Sequence, residues 1–145
     1  MTPQSETILV VDDEKDIQEL LKYNLTKEGF RVKTASNGKE ALEHASKGVD
    51  LVVLDVMMPE MDGWEVCRSL RQNPATAALP IVFLTARDSD VDEVVGLELG
   101  ADDYIVKPVR VRTFIARVKK ALRTRTFRSS RSEACRSTPR TISSR

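Results

Sequence analysis

Short apolar runs alternate with stretches in which apolar residues recur every three or four positions, and the alternation repeats five times between residues 8 and 122. Ile8-Leu9-Val10-Val11 predicts a buried strand, and Ile17, Leu20, Leu21 and Leu25 follow at helical spacing until Gly29 supplies a stop. Phe30 to Thr34 predicts a shorter strand, and after Asn37-Gly38 a helix carries Ala41, Leu42 and Ala45 on one face. Leu51-Val52-Val53-Leu54 is apolar without a break, as expected of a central parallel strand buried on both sheet faces. Residues 64–72 predict a helix burying Val66, Cys67 and Leu70, closed by Asn73-Pro74 because the residue before proline disfavours helix. Pro80 opens the strand Ile81-Val82-Phe83-Leu84, after which Val91, Val94, Val95 and Leu99 form a helical stripe ending at Gly100. Tyr104-Ile105-Val106 is the last strand, and Val111, Phe114, Ile115, Val118 and Leu122 line the last helix.

Strict strand-helix alternation predicts an α/β fold, a doubly wound five-stranded parallel sheet with right-handed crossovers and five helices on its two faces. In such sheets functional groups collect outside the carboxyl ends of the strands, where strand order reverses. Four polar signatures stand there: Asp12-Asp13 after Val11, Asp55 after Leu54, Thr85 after Leu84, and Lys107-Pro108 after Val106.

Composition limits what surrounds this core. A chain of 145 residues with 41% hydrophobic content can bury one ordinary core, so one domain is expected over residues 1–123. The N-terminus is polar and its first apolar run too short for a signal peptide, and no stretch reaches the length of a membrane span. Cys67 and Cys135 have no metal-ligand spacing, which favours a reducing cytoplasm over a disulfide framework. Residues 1–123 carry 17 Lys and Arg against 21 Asp and Glu, a net charge of −4 that argues against nucleic-acid binding by the domain. Residues 124–145 carry six Arg against one Glu and are dominated by Ser, Thr and Arg; too few apolar residues are present to offset ordering entropy. This segment is expected to be a flexible tail, a linker remnant or vector-derived, rather than a second domain.

Each strand-end residue has an ordinary role. Asp12-Asp13 suits a helix cap, and for an isolated acidic pair that role would be preferred by a wide margin. With Asp55 nearby, however, like charges at about 4 Å repel by roughly 4 kcal/mol per pair at a dielectric near 20. A hard divalent cation relieves that cost, and magnesium suits an oxygen-only site that retains water and accepts phosphate oxygens. The single histidine, His44, lies away from this cluster in the pattern and is expected on the surface. Asp55 can serve as a turn carboxylate or as a phosphoryl acceptor. Thr85 can cap a helix or donate to a phosphoryl oxygen; Lys107 can be solvated or, if Pro108 adopts a cis peptide, project back over the strand ends. Met57, Met58 and Met61 are expected to pack locally.

Taken together, Val10-Val11-Asp12-Asp13-Glu14, Leu54-Asp55-Val56-Met57-Met58-Pro59-Glu60-Met61-Asp62-Gly63, Leu84-Thr85-Ala86-Arg87 and Gly100-Ala101-Asp102-Asp103-Tyr104-Ile105-Val106-Lys107-Pro108 resemble the receiver domain of two-component response regulators, over residues 7–123. The resemblance implies the flavodoxin-like strand order 2-1-3-4-5. It implies that Asp55 accepts a phosphoryl group from a sensor histidine kinase, and that Asp12, Asp13, Asp55 and the backbone carbonyl of Met57 hold Mg2+. It further implies that Lys107 pairs with the phosphoryl group and that Thr85 and Tyr104 form the switch. Such a protein is a regulator, not an enzyme, catalysing only its own phosphotransfer and autodephosphorylation.

The motifs are most similar to the winged-helix, OmpR/PhoB-type subgroup, whose receivers form homodimers through the fourth helix, fifth strand and fifth helix. Asp102, Asp103, Arg117 and Lys119 match charges of that face, whereas Val109 stands where Phe is common, and Glu93 with Thr113 replaces a basic and acidic pair. The 22 residues after Arg123 are too few for a winged helix, so either a separated receiver or one acting through protein contacts is expected. Among rivals, a phosphohydrolase would want Asp-x-Asp on the first strand, and a flavodoxin-like cofactor binder would want a Ser/Thr/Gly-rich loop where Asp12-Asp13-Glu14 stands. A degenerate receiver acting as a phosphate-independent interaction module is the remaining alternative.

Overall fold

A computed structural model describes residues 6–56, 58, 60–85 and 102–123. Strand β1 (Thr7–Val11) leads into α1 (Lys15–Lys27), β2 (Arg31–Ala35), α2 (Gly38–Ser46), β3 (Leu51–Asp55), α3 (Gly63–Gln72), β4 (Ile81–Thr85) and β5 (Asp103–Val106). A last helix spans 111–123. The predicted helix around Val91 to Leu99 and the tail at 124–145 lie outside the described residues.

All five strands pair in parallel in the order β2-β1-β3-β4-β5, as the resemblance implied. Every residue of β3 and β4 is buried, which is why those runs read as apolar throughout. Strand alternation divides each run between two cores. Leu9, Val11, Val52, Leu54, Ile81 and Phe83 face α2 and α3, meeting Ala41, Ala45, Val66, Cys67 and Leu70. Ile8, Val10, Leu51, Val53, Val82, Leu84 and Ile105 face α1 and the last helix, meeting Leu21, Leu25, Phe114 and Val118. Helices on both faces make the sheet doubly wound.

Local chemistry sets the helix ends. Asn37 and Asp62 cap α2 and α3, accepting the amide N–H of Glu40 and Glu65. Gly29, beyond α1, has φ +96°, a left-handed value that favours glycine.

One face differs from expectation. The buried residues of α1 are Gln18, Leu21 and Leu25, whereas Leu20 is exposed. Spacing of three and four positions places residue 18 beneath 21 and 25, so a polar glutamine occupies the inward stripe. Its partners explain why that is tolerated, as shown below.

Candidate functional site

Sheet register brings the strand-end residues together. Val11 pairs with Leu54, so Asp12 and Asp55 each stand one step beyond that pair; Thr85 pairs with Val106, and Lys107 donates its N–H to the Thr85 carbonyl at 2.7 Å. Two-residue alternation puts Asp12 in line with Val10, Asp55 with Val53 and Lys107 with Ile105, all on the face of α1 and the last helix.

The Lys107 ammonium lies 3.3 Å from Asp12 Oδ2 and 3.5 Å from Asp55 Oδ1. Its side chain is 25% exposed, so the ordinary fate of a solvated lysine does not apply. The Lys107-Pro108 peptide is cis. Asp12 is 0% exposed. Its Oδ1 accepts the Glu14 N–H at 2.8 Å, while Oδ2 has no hydrogen-bond partner among the described residues and meets Lys107 through charge. Glu14, not Asp12 or Asp13, is the N-cap of α1, and it makes no side-chain cap hydrogen bond. The acidic pair therefore does not fill the capping role open to it in sequence.

Burial pushes the Asp12 carboxyl above its ordinary 3.8; the Glu14 N–H and the Lys107 charge offset only part of that. For Lys107 burial acts downward, but the charges of Asp55 and then Asp12 outweigh it and hold its pKa above 10.5. Carboxylate oxygens of Asp12, Asp13 and Asp55 all lie within 4.8 Å of one another, with Asp13 on the exposed side. Three carboxylates around one point, one of them wholly buried with an oxygen that has no hydrogen-bond partner among the described residues, fit a hard divalent cation that keeps part of its water. The Met57 carbonyl lies outside the described residues.

Thr85 is buried at the end of β4. Tyr104 pairs with Phe83, two residues before Thr85 on the same sheet face, so threonine and tyrosine are diagonal neighbours across β4 and β5. Met58 is buried and Met61 packs on the same core beside Gly38, in keeping with local packing. His44 is half-buried in α2, away from the acidic cluster.

Charges expected on a dimer face have partners within the chain. Asp102 Oδ2 accepts the Ile81 N–H at 2.9 Å and lies 3.7 Å from Arg71, while Asp103 Oδ1 accepts from Arg117 at 2.7 Å and Glu28 accepts from Lys119 at 2.8 Å. Beside them Tyr104, Val106, Pro108, Arg110, Thr113 and Arg117 line a shallow cleft of about 360 Å³ along the sheet edge.

The roles of two residues of the site region, Gln18 and Gly63, were not expected from sequence, although Gly63 closes one of the motifs. Gln18 could have been found from its spacing with Leu21 and Leu25. Gly63 required tertiary structure: a Cβ there would collide with the Asp55 carbonyl oxygen and lie 2.9 Å from Val56 Cα.

A family model described as the response regulator receiver domain matches residues 8–119. The chain is 56% identical over 117 residues to the alkaline phosphatase synthesis transcriptional regulatory protein PhoP of Bacillus subtilis (strain 168), a match covering 80% of this chain and 48% of that protein. It thus spans about half the length of that relative. Among solved structures, chemotaxis protein CheY4 of Vibrio cholerae is similar at TM-score 0.77 and 31% identity, covering 81% of this chain and 98% of that one. The Francisella response regulator 1452 receiver domain is similar at TM-score 0.76 and 33% identity, covering 83% and 98%.

Proposed function

The chain belongs to the response regulator receiver domain family, and on that premise we propose that Asp55 is the phosphoacceptor of a switch charged by a sensor histidine kinase. The observation that carries this reading is the single ammonium, Lys107, set against both Asp12 and Asp55 at the ends of three strands. The Asp55 carboxylate attacks phosphorus in line; the new O–P bond forms as the N–P bond of phosphohistidine breaks, and the departing imidazole nitrogen keeps the electron pair. Lys107, already within ion-pair distance of Asp55, offsets the added charge. Asp12 and Asp13, with Asp55 and the Met57 carbonyl, would hold Mg2+, which when bound neutralises phosphoryl oxygens that the carboxylates would otherwise repel.

The switch reading rests on Thr85 and Tyr104. A phosphoryl group of about −1.5 to −2 charge draws the Thr85 hydroxyl inward, and the Tyr104 ring follows into the space released. Turning such an equilibrium from 1:99 to 99:1 takes about 5.5 kcal/mol of differential stabilisation. A hydroxyl, an ammonium and a metal bridge together are of that scale.

Output is assigned to the β5 edge and the last helix, where a second copy would dock against the cleft between Tyr104 and Arg117. Asp103, Arg117 and Lys119 then exchange their present partners for those of the second copy, while Asp102 contributes through the start of β5. Residues 1–123 form the receiver and 124–145 the tail; the working compartment is the cytoplasm, the donor a histidine kinase, and autodephosphorylation the route back. Among the described residues no helix is long and apolar enough to cross a membrane. The relative PhoP is named a transcriptional regulatory protein, and this chain is proposed to act upstream of an output of that type. The rival, a receiver that never accepts phosphate, is disfavoured by the assembled Asp12, Asp55 and Lys107 contacts.

The deciding experiment is incubation with acetyl phosphate and magnesium chloride followed by intact mass. One phosphoryl group is expected on the wild type and none on Asp55→Asn. No addition to the wild type, or an addition that persists in the variant, overturns the assignment.

A further inference from the structure

Gln18 lies on the face of α1 that buries Leu21 and Leu25, yet its amide nitrogen reaches out of the helix to three acceptors. Its two hydrogens are shared among the backbone carbonyl of Asp12, in a short contact, the Ala35 carbonyl at 3.2 Å and the Ser36 hydroxyl at 3.1 Å. Two of those acceptors are carbonyls, so only an NH2 group satisfies them and the orientation of the amide is chemically determined.

The consequence for Asp12 follows from its own atoms. Its N–H donates to the Ala35 carbonyl at 3.0 Å, its carbonyl accepts from Gln18, and its Oδ1 accepts from Glu14. Among the described residues Oδ2 alone has no such bond, and it lies 3.3 Å from the Lys107 ammonium. Among the described residues Gln18 is the side chain that bonds the Asp12 backbone, and by reaching Ala35 and Ser36 as well it ties the β1 end to the β2 end. A metal ligand held at its backbone as well as its carboxylate loses less freedom on binding than one on a mobile loop.

We propose that Gln18 is a positioning residue for the divalent-cation site, acting through the Asp12 backbone to aim Oδ2 at the pocket. The inference rests on the proposed magnesium site. Gln18→Met keeps the length and apolar contacts of the side chain and removes both donors. As a control, Thr76→Val removes a comparably buried side-chain bond, from Thr76 Oγ1 to the Leu70 carbonyl at 2.7 Å, remote from the cluster.

Titration calorimetry with magnesium chloride on the whole chain, with thermal unfolding of each metal-free variant, separates the outcomes. Expected is a magnesium Kd at least about tenfold weaker in Gln18→Met, while Thr76→Val stays within about twofold of wild type even where its Tm falls by a similar amount. Should Gln18→Met not fold, Gln18→Asn, which keeps the amide one methylene short of its acceptors, is held to the same threshold. A Gln18 variant that binds within about twofold of wild type, or a Thr76→Val loss equal to that of the Gln18 variant, overturns the proposal. Absence of magnesium binding by the wild type would instead overturn the metal site itself.

Discussion

The Lys107 ammonium stands 3.3 Å from Oδ2 of Asp12, a carboxylate wholly removed from solvent. The same ammonium lies 3.5 Å from Asp55, so one cation is shared by two buried acids. It offsets only part of the negative charge that Asp12, Asp13 and Asp55 bring together.

A divalent ion entering beside Lys107 works against that ammonium. At about 5 Å one and two charges repel by about 1.7 kcal/mol even at the dielectric of water, and by more in this part-buried pocket, which is at least about a tenfold factor in affinity. Lys107→Met is therefore expected to bind magnesium about tenfold tighter, measured by calorimetry, while losing the response to phosphorylation. Weaker binding would mean that Lys107 supports the cation rather than competing with it.

Proton competition gives a second expectation. Because the folded pKa of Asp12 lies above 3.8, the native state holds its proton more firmly than the unfolded chain. Asp12's contribution to the stability of the metal-free protein is fully favourable below the unfolded value and declines as pH rises through the raised pKa. Magnesium requires the carboxylate, so its affinity should climb over that same window and level off above it. Calorimetric Kd values from about pH 4 to about pH 8, set beside metal-free Tm values, test both slopes; an affinity flat across the range counts against Asp12 as a ligand.

Gly63→Ala should damage fold and site together. The new methyl meets Asp55 and Val56 backbone, which cannot swing aside as a side chain does. A loss of about 1–3 kcal/mol is expected in urea unfolding, with lower phosphoryl incorporation at Asp55. A variant of wild-type stability would show that α3 can lift away from the end of β3 without cost.

Thr85→Ala should separate input from output. Phosphoryl incorporation at Asp55 is expected to persist, because neither Asp55 nor Lys107 is altered, whereas a phosphoryl-dependent rise in mass by light scattering should disappear. Retention of that rise would remove Thr85 from the switch. For the wild type, a mass that stays monomeric at all concentrations with a stable phosphoryl mimic bound would argue against the β5 dimer face.

Most of the architecture was legible in the chain because strand burial writes itself as unbroken apolar runs, as at Leu51 to Leu54 and Ile81 to Leu84. Strand-end position was equally legible for Asp12, Asp55, Thr85 and Lys107. The α1 stripe was legible in part: Leu21 and Leu25 are buried and Ile17 packs on the core as expected, but Leu20 fits the hydrophobic pattern and is exposed, and Gln18 breaks the pattern and is buried. Residue type reports the transfer preference of a side chain, not the hydrogen-bond partners that can reverse it. The same holds for Asp102, a surface charge by type, whose carboxylate is occupied by Ile81 and Arg71.

By itself the sequence determined the elements, their alternation and the set of groups at the strand ends, since periodicity and local turn chemistry are properties of neighbouring residues. Tertiary structure alone decided which of those groups meet, that Lys107 bridges Asp12 and Asp55, that Gln18 grips the Asp12 backbone, and that Gly63 leaves room for Asp55. Those relations join residues up to 95 positions apart, from Asp12 to Lys107, and depend on the register of parallel strands, which no local pattern specifies.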